Sequence, residues 1–338
     1  MTLYTLRRSD ETIHIVVMVS LAVAPPDDFA FEAVPGARRD WDRLIGRIGQ
    51  SSLEQSWAYG DAVAASQGAA VTRLIIRNGG RPVALVQGFR TRDVKLASVN
   101  RILRGPLWLD DLSDAQRLEA CRLIRREFRA RRRDLLFWLP ELPDTVDSRR
   151  FMGALGMRRM VTGYSTVWLD IRPDEDQLRR GLKGKWRNAL VSGEKAGLRV
   201  RAVERNRALE EAMTTYDRFR RNRRFIGPPA DLIRQMHAGA GKAGHVRVWE
   251  AFHGKVAVAG IAMVRHGVSA TYLAGWTGEE GRDGNAHNLL LWRAITELRG
   301  GGTDWLDLGG VDTQTSPGIA RFKLGLGGEI ATLSGTYL

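Results

Sequence analysis

The sequence predicts an α/β (α+β) protein built from two tandem units, each a mixed, mostly antiparallel sheet flanked by helices. Length is the first reason, because 338 residues suffice for two domains of about 150 residues each. The second reason is that one order of elements occurs twice along the chain: a hairpin, a further strand, a helix and a closing strand. The third is that strand-like and helix-like segments alternate, which is typical of sheets covered by helices.

The first unit is predicted from alternating hydrophobicity and from turn signals. The Asn-Gly-Gly tripeptide at 78–80 marks a hairpin, and Ser113 or Asp114 is a suitable N-cap for the helix that follows. Pro140 closes the last strand. The predicted elements are helix 41–67 with a turn at 49–52, strands 71–78 and 82–89, a strand within 97–109, helix 114–132 and strand 135–139.

The second unit repeats this order. Its predicted elements are strand 166–171, a broken pair of helices over 173–196, helices 209–221 and 230–237, strands 245–252, 256–264 and 269–276, helix 286–298 and strand 305–308. Pro228 and Pro229 separate the two middle helices. We therefore expect an N-terminal extension at 1–28, a first unit at 29–163 and a second unit at 164–338.

The chain carries a large positive charge. Its net charge is +14 and its pI is near 10.6, which favours polyanionic partners such as RNA, phosphorylated substrates or an anionic lipid surface. The alternative is an arginine-rich surface that binds nothing in particular. The arginine cluster within 122–133 fits either interpretation.

Cysteine content and apolar segments bear on the location of the protein. Cys121 is the single cysteine, so no internal disulfide can form, and the absence of Cys/His clusters with zinc-ligand spacing predicts no metal site. The apolar run 13–24 is too short to span a bilayer and is predicted as a strand rather than a cleaved signal, with Met18 as an alternative start. We expect a cytoplasmic protein that could associate peripherally with the inner face of the membrane.

Several blocks of the chain resemble motifs of the Fem (FemABX) family. In chain order they are QSWAYG at 55–60, KWRN at 185–188 followed by EKAG at 194–197, AHNLLLW at 286–292, DLGG at 307–310, and GIARFK at 318–323 followed by glycines and Glu329. Each block alone is a weak signal. Their occurrence in this order over most of residues 55–329 is fairly specific.

The resemblance implies two tandem units of the Gcn5-related N-acetyltransferase (GNAT) fold, the second of which carries the catalytic motifs. It also implies an aminoacyltransferase of peptidoglycan biosynthesis, with aminoacyl-tRNA as donor, an amine of a phosphate-bearing cell-wall precursor as acceptor, and no bound cofactor. The connection 174–197 is too short for the coiled-coil arm of some members. The alternatives are an acyl-CoA-dependent N-acyltransferase on the same fold and a non-catalytic protein that binds RNA or anionic lipid.

The end of the strand predicted at 305–308 would bring a carboxylate and accessible backbone to one place. Asp307 is a candidate catalytic base, although an anchor or a cap on the glycine-rich turn is the favoured role. Gly309 and Gly310 are predicted to contact the substrate. These residues place the expected reaction centre within 286–329.

The triplet at 321–323 supplies two cations around one aromatic ring. Lys323 is the candidate for facing the oxyanion that develops during acyl transfer, since a placed donor contributes roughly 3–4 kcal/mol to such a step. Phe322 could stack on the terminal adenosine of tRNA, worth roughly 1–3 kcal/mol, and Arg321 could hold a phosphate. The alternative is that Phe322 belongs to the core while both cations are solvated.

Two further segments are predicted to bind the substrate. The first is a cationic helix that suits a phosphate-bearing ligand, with Lys185, Trp186, Arg187 and Asn188 as its candidate residues. Trp186 could equally be a core residue. The second rests on the family resemblance, which implies that a Tyr and an Arg in this region face the acceptor. These roles are carried over to Tyr216 and Arg223.

An acyl-CoA donor would require a glycine-rich loop before a helix, because backbone N–H groups and the helix N-terminus hold the pyrophosphate. The weak candidates for such contacts are Arg282, Gly284, Asn285 and Ala286. Arg282 is one residue too close to Gly284, and Asp283 puts a negative charge where phosphate would lie. CoA is therefore disfavoured, and the segment could be an ordinary loop.

Overall fold

The computed structural model describes residues 28–34, 37–94, 97–129, 134–203, 206–223, 227–239, 246–314 and 316–338. The strand predicted at 13–24 and the end of the helix predicted at 114–132 lie outside these ranges. The described residues form two mixed, mostly antiparallel sheets flanked by helices, which confirms the predicted fold class.

The first sheet lies mainly in the N-terminal half of the chain. Its strands are β1 (Phe29–Ala33), β2 (Ala70–Asn78), β3 (Arg81–Val94), β4 (Ala97–Leu103), β5 (Leu107–Trp108), β6 (Leu135–Leu139), β7 (Arg159–Val161) and β15 (Thr336–Tyr337). Its helices are α1 (Arg38–Ile45), α2 (Trp57–Gln67), α3 (Asp114–Phe128) and α4 (Val146–Ala154), with a 3-10 turn at Leu53–Gln55. The strand order is β1-β2-β3-β4-β6-β15-β7, with β5 beside β3.

The second sheet follows in the C-terminal half. Its strands are β8 (Ser165–Asp170), β9 (Arg199–Val203), β10 (Val246–His253), β11 (Val256–His266), β12 (Ser269–Thr277), β13 (Trp305–Val311) and β14 (Glu329–Thr332). Its helices are α5 (Glu175–Gly181), α6 (Gly184–Lys195), α7 (Asn206–Asn222), α8 (Ala230–Gly239), α9 (Glu279–Asp283), α10 (Ala286–Gly300) and α11 (Pro317–Leu324). The strand order is β14-β8-β13-β12-β11-β10-β9.

Each sheet contains one parallel pair of neighbouring strands among its described residues. Strand β4 pairs with β6 in the first sheet, and β12 pairs with β13 in the second. A helix makes each crossover, α3 in the first unit and α10 in the second, as parallel strands require. The two halves therefore repeat the same strand–helix–strand arrangement at their centres.

The two units share part of their hydrophobic core. Buried residues of α2, such as Ala62 and Val63, pack in one cluster with Ile233 and Met236 of α8. The Ser56 hydroxyl caps α2 by accepting from the Tyr59 N–H, and Gly68 ends it in the left-handed conformation. This packing holds the two sheets against each other.

Several elements differ from the sequence expectation. Residues 317–324, for which no element was predicted, form α11, so the Arg-Phe-Lys triplet is helical, with Pro317 at the helix start as the missed signal. Residues 279–283 form α9. Strands β1, β7, β9, β14 and β15 were not predicted, because each has at most five residues, too few to show a clear alternation of hydrophobicity.

The boundary at 163/164 stays a prediction. It falls between β7 and β8, while the last strand, β15, returns to pair with β6 and β7 of the first sheet. Among the described residues, no helix has the length and apolarity needed to cross a bilayer.

Candidate active site

The parallel pair of the second sheet opens at Asp307. Strands β12 and β13 pair only over 269–271 and 305–307 and then separate. Gly309 has a φ of 72°, and a Cβ there would lie 3.4 Å from the Tyr272 carbonyl oxygen and 3.7 Å from Lys323 Nζ. Glycine therefore allows the backbone to turn closely past two neighbours at the end of the strand.

Asp307 is fully buried at this opening. Its carboxylate accepts hydrogen bonds from the Gly309 N–H at 2.8 Å, from the Thr166 hydroxyl and from Arg104 Nη1 at 2.6 Å. Three donors thus occupy its two oxygens. This geometry favours an anchoring role for Asp307 over a role as a base.

Arg104 links the two units through buried charges. It follows β4, is 2% exposed and has a φ of 52°. Its guanidinium donates to both carboxylate oxygens of Glu141, at 2.7 and 2.8 Å, as well as to Asp307, and its Nη1 lies 3.8 Å from Glu54 Oε2. Burial lowers the pKa of Arg104, but the carboxylates of Glu54, Glu141 and Asp307 outweigh it and hold the pKa well above its usual range.

Sequence reasoning missed Arg104, Glu54 and Glu141. A charged side chain carries no local sign that it will be buried, since charged residues are normally exposed. Glu54 stands immediately before the QSWAYG block, which is the one signal that could have directed attention to it. The network became visible only when β4, β6 and β13 were brought together.

Lys323 lies near the end of α11 and is 8% exposed. Its Nζ donates a hydrogen bond of 2.7 Å to the Gly310 carbonyl oxygen and lies 5.9 Å from the centre of the Tyr272 ring. Burial lowers the pKa of Lys323 to about 8, while the Asp307 carboxylate acts in the opposite direction. An ammonium group has three donors, so this one can still donate to a ligand.

The aromatic part of the triplet belongs partly to the core. Phe322 is half-buried, with its ring 5.9 Å from the Trp186 ring and 6.0 Å from the His287 ring. Trp186 is 5% exposed, so its prediction as a substrate contact is corrected to a packing role. Burial lowers the pKa of His287. A nucleobase could stack on Phe322 only through the part of the ring that is still exposed.

The other predicted residues of α6 and α11 face solvent. Lys185, Arg187, Asn188 and Arg321 are exposed. Helix α6 docks beside α11 through the Lys183 N–H, which donates to the Gly325 carbonyl oxygen at 2.9 Å. Arg187 Nη2 donates a hydrogen bond of 2.9 Å to the Leu182 carbonyl oxygen. The predicted phosphate-binding cations therefore form the surface next to the helix that carries Lys323.

The prediction for Tyr216 is wrong in this structure. Its side chain is fully buried and its hydroxyl donates to the Pro228 carbonyl oxygen at 3.0 Å. Burial raises its pKa to about 12. Arg223, in contrast, is exposed just after α7. Its role as an acceptor contact stays a prediction.

The weak CoA site is also corrected. Gly284 and Asn285 use their N–H groups in the turn that ends α9, donating to Glu280 and Arg282. A Cβ at Gly284 would lie 3.1 Å from Leu198 Cδ1, and one at Gly193 would lie 3.1 Å from the Asn285 carbonyl oxygen. Because the end of α6 packs on this segment, the start of α10 at Ala286 lacks an open loop for a pyrophosphate.

Comparison with known proteins identifies the architecture. A family profile described as an acetyltransferase (GNAT) domain matches residues 177–324. A structure of FemX is similar with a TM-score of 0.75 at 14% identity, covering 90% of this chain and 96% of that one. The chain has a tandem GNAT fold. No curated protein matches the chain.

Two other solved structures are similar to the chain over most of its length. L-PGS from Bacillus licheniformis has a TM-score of 0.53 at 11% identity, covering 88% of this chain and 90% of that one. A tandem GNAT protein from the clavulanic acid biosynthesis pathway has a TM-score of 0.50 at 17% identity, covering 91% and 97%. The match to an acetyltransferase (GNAT) domain suggests acyltransferase activity for this chain and leaves its substrate open.

Proposed function

We propose that the protein is a Fem-type acyltransferase that moves an aminoacyl group from aminoacyl-tRNA onto an amine of a phosphate-bearing cell-wall precursor. The observation that carries the proposal is Lys323, a nearly buried ammonium at the opening between β12 and β13. The FemX-like fold and the ordered motif blocks add support.

Lys323 suits the electrostatic demand of the reaction. The acceptor amine attacks the ester carbonyl of the donor, forms a C–N bond and places negative charge on the carbonyl oxygen. A preformed cation next to that oxygen stabilises the charge, most strongly where water is excluded. The Gly310 carbonyl holds the Lys323 ammonium in place, and Asp307 anchors the backbone turn between them.

The surface charge suits the proposed partners. Exposed cations on α6 and at Arg321 lie beside α11, where they can contact the phosphates of a donor tRNA or of a nucleotide- or lipid-linked acceptor. The net charge of +14 would speed association with either polyanion and with an anionic membrane surface. We place the reaction in the cytoplasm or at the inner face of the membrane.

An acyl-CoA-dependent N-acyltransferase is the second candidate. It is favoured by the acetyltransferase description of the matched domain. The packed turn at Gly284 and Asn285 argues against it, because the second unit offers no open backbone loop there for a pyrophosphate.

A transfer assay separates the two candidates. The protein is incubated with a nucleotide-linked muramyl peptide and either charged tRNA or acetyl-CoA, and the acylated product is measured. We expect product from charged tRNA, none after ribonuclease treatment, and strong loss in Lys323→Met. The control is Lys255→Met, at an exposed lysine in the β10–β11 turn. Product from acetyl-CoA alone would overturn the tRNA proposal.

A further inference from the structure

Glu54 is a buried carboxylate that the proposed role of Lys323 does not use. It lies in the 3-10 turn between α1 and α2. Its Oε2 atom is buried and accepts no hydrogen bond from the described residues, and the nearest cationic atom, Arg104 Nη1, is 3.8 Å away. A buried carboxylate oxygen normally has a donor, so this atom is suited to receive one from a ligand. The side chain as a whole is 23% exposed, so Glu54 borders the surface although this oxygen itself is covered.

The surroundings of Glu54 carry negative charge within a strongly positive chain. Three carboxylates, of Glu54, Glu141 and Asp307, surround the single guanidinium of Arg104. Glu54 and Asp307 come from different units, and both have an oxygen within 4 Å of Arg104 Nη1. This excess of negative charge attracts an ammonium group and repels a phosphate.

The backbone of the turn is rigidly held. The Gln55 side chain donates to the carbonyl oxygens of Gln87 and Leu103, at 3.0 and 2.7 Å, and accepts from the Gln87 N–H at 2.7 Å. The Gln87 side chain in turn donates to the Glu54 carbonyl oxygen at 3.0 Å. A group held in this way is preorganised for binding, because little freedom remains to be lost.

We propose that Glu54 binds the ammonium group of the acceptor at the junction of the two units and takes its proton before attack. The inference rests on the proposed function and goes beyond it by naming the base and the place of the acceptor. An ammonium must lose a proton before it can act as a nucleophile, and Lys323, being a cation, cannot accept it.

The acceptor ammonium loses two protons during the transfer, and each has a defined destination. The acceptor ammonium gives one proton to the Glu54 carboxylate, and the free amine attacks the ester carbonyl to form the C–N bond. The C–O bond to the ribose breaks, and the leaving oxygen takes the second proton from the nitrogen. Glu54 then releases its proton to solvent, so that one amide, one free hydroxyl and one proton are formed.

The titration of Glu54 agrees with this role. Burial raises its pKa, Arg104 lowers it, and Asp307 and Glu141 add to the increase. The other ionisable groups that face it are Tyr59, whose own pKa is raised mainly by burial, and Tyr164. Arg101 faces Tyr59 from β4. A carboxylate with a raised pKa is a stronger base than an ordinary glutamate.

The test compares Glu54→Gln with the parent protein on two acceptors at pH 7. One is an alkylamine acceptor, which is protonated, and the other is an alkoxyamine acceptor of the same shape, which is already neutral. We expect kcat to fall by about 10²-fold with the alkylamine and by less than about threefold with the alkoxyamine. Glu54→Asp should recover part of the loss, and the low-pH limb of the parent's kcat profile should disappear in Glu54→Gln.

Glu141→Gln is the matched control. Glu141 shares Arg104 with Glu54, but both of its oxygens are bonded to that guanidinium. We expect its loss to be equal for the two acceptors, because its role is structural. The folded state of each variant is checked by urea unfolding.

Equal losses for the two acceptors in Glu54→Gln would overturn the inference and leave the proposed function standing. No loss with either acceptor would overturn it as well. A parent protein that transfers nothing from charged tRNA would remove both the proposed function and the inference.

Discussion

The same corner of the fold is open in the first unit and filled in the second. In the first unit, a cavity of about 240 Å³ lies between β6, α3 and α4, with Trp108, Trp138 and Phe151 among its walls. In the second unit, the place between β13, α10 and α11 contains the packed rings of Trp186 and Phe322. The same arrangement of elements therefore encloses a cavity in the first unit and a packed pair of aromatic rings in the second.

The charges divide between the units in a similar way. The first unit contributes Glu54, Glu141 and Arg104, whereas the second contributes Asp307 and Lys323. Neither unit holds both the carboxylate that we propose as base and the cation that we propose for the oxyanion. The comparison teaches that the two copies contribute different charged groups, so the reaction that we propose would require both of them.

The largest effect should come from breaking the link between the units. Arg104→Met would leave three carboxylates without their shared cation, and we expect a loss of about 5 kcal/mol in the free energy of unfolding at pH 7. Urea unfolding measures this loss. The control Arg81→Met removes a mostly exposed guanidinium and should cost well under 1 kcal/mol. Similar costs for both variants would contradict the importance of the junction.

The next largest effect is the different stability cost of removing a tryptophan from the packed corner of the second unit and from the cavity of the first. Trp186→Ala should cost about 4 kcal/mol in unfolding free energy, because it leaves a cavity beneath Phe322 and α11. Trp108→Ala should cost about 1–2 kcal/mol, since its ring is only partly buried and already borders a cavity. Thermal or urea unfolding of both variants is the measurement. A larger loss of unfolding free energy in Trp108→Ala than in Trp186→Ala would contradict this prediction.

Lys323 should show opposite pH dependences of activity and stability. Its folded pKa is about 8, below the ordinary 10.5, so between these values the unfolded chain binds a proton that the folded one lacks. Its contribution to stability therefore rises with pH across this window. Transfer should fall above pH 8 as the cation is lost, and Lys323→Met should lower kcat by about 10²-fold, equivalent to about 3 kcal/mol.

The control for this prediction is Lys323→Arg, which stays cationic at alkaline pH. A transfer rate of Lys323→Arg that does not fall above pH 8 would support the assignment. A parent rate that rises through pH 8 would show instead that the neutral amine is the active form.

The smallest effect concerns the outer helices. Helix α3 presents Arg125 and Arg126, and Arg129 follows its end. Arg122 of α3 is bonded to Glu119 at 3.1 Å, as Arg293 on the equivalent α10 is bonded to Glu297 at 2.6 Å. Arg126→Gln should leave the free energy of unfolding unchanged within about 0.5 kcal/mol. It should reduce the slope of log K against log salt for tRNA binding by the amount expected for about one phosphate contact. Arg150→Gln, at an exposed arginine of α4, is the control. Equal salt slopes for parent and Arg126→Gln would exclude α3 from the tRNA-binding surface.

Much of the central fold was predictable from local patterns. The hairpins, the α3 and α10 crossovers and the order of elements follow from alternation, turn glycines and caps, which act between near neighbours in sequence. The helix at 317–324 was missed because it is short and glycines flank it on both sides, which leaves little helical periodicity to detect. The short strands β9 and β15 were missed because their pairing depends on partners far away in the chain.

The candidate site was only partly predictable. Sequence patterns singled out Asp307 and Lys323, since they stand beside unusual glycines. They also led to Tyr216, which is buried, and they passed over Glu54 and Arg104. A residue type and its spacing indicate what chemistry a side chain can perform, whereas burial and partners depend on which distant segments cover it.

By itself, then, the sequence determined the two repeated units, the positive charge and the location of the motif-rich segment near the C-terminus that holds the candidate residues. These properties depend on composition and on contacts between near neighbours. Only the tertiary structure decided that Arg104 binds Asp307 at a sequence separation of 203, that Lys323 loses most of its water, and that one Glu54 oxygen is buried without a donor. The physical reason is that desolvation and charge pairing act through space, and the fold alone sets which charges share a low-dielectric environment.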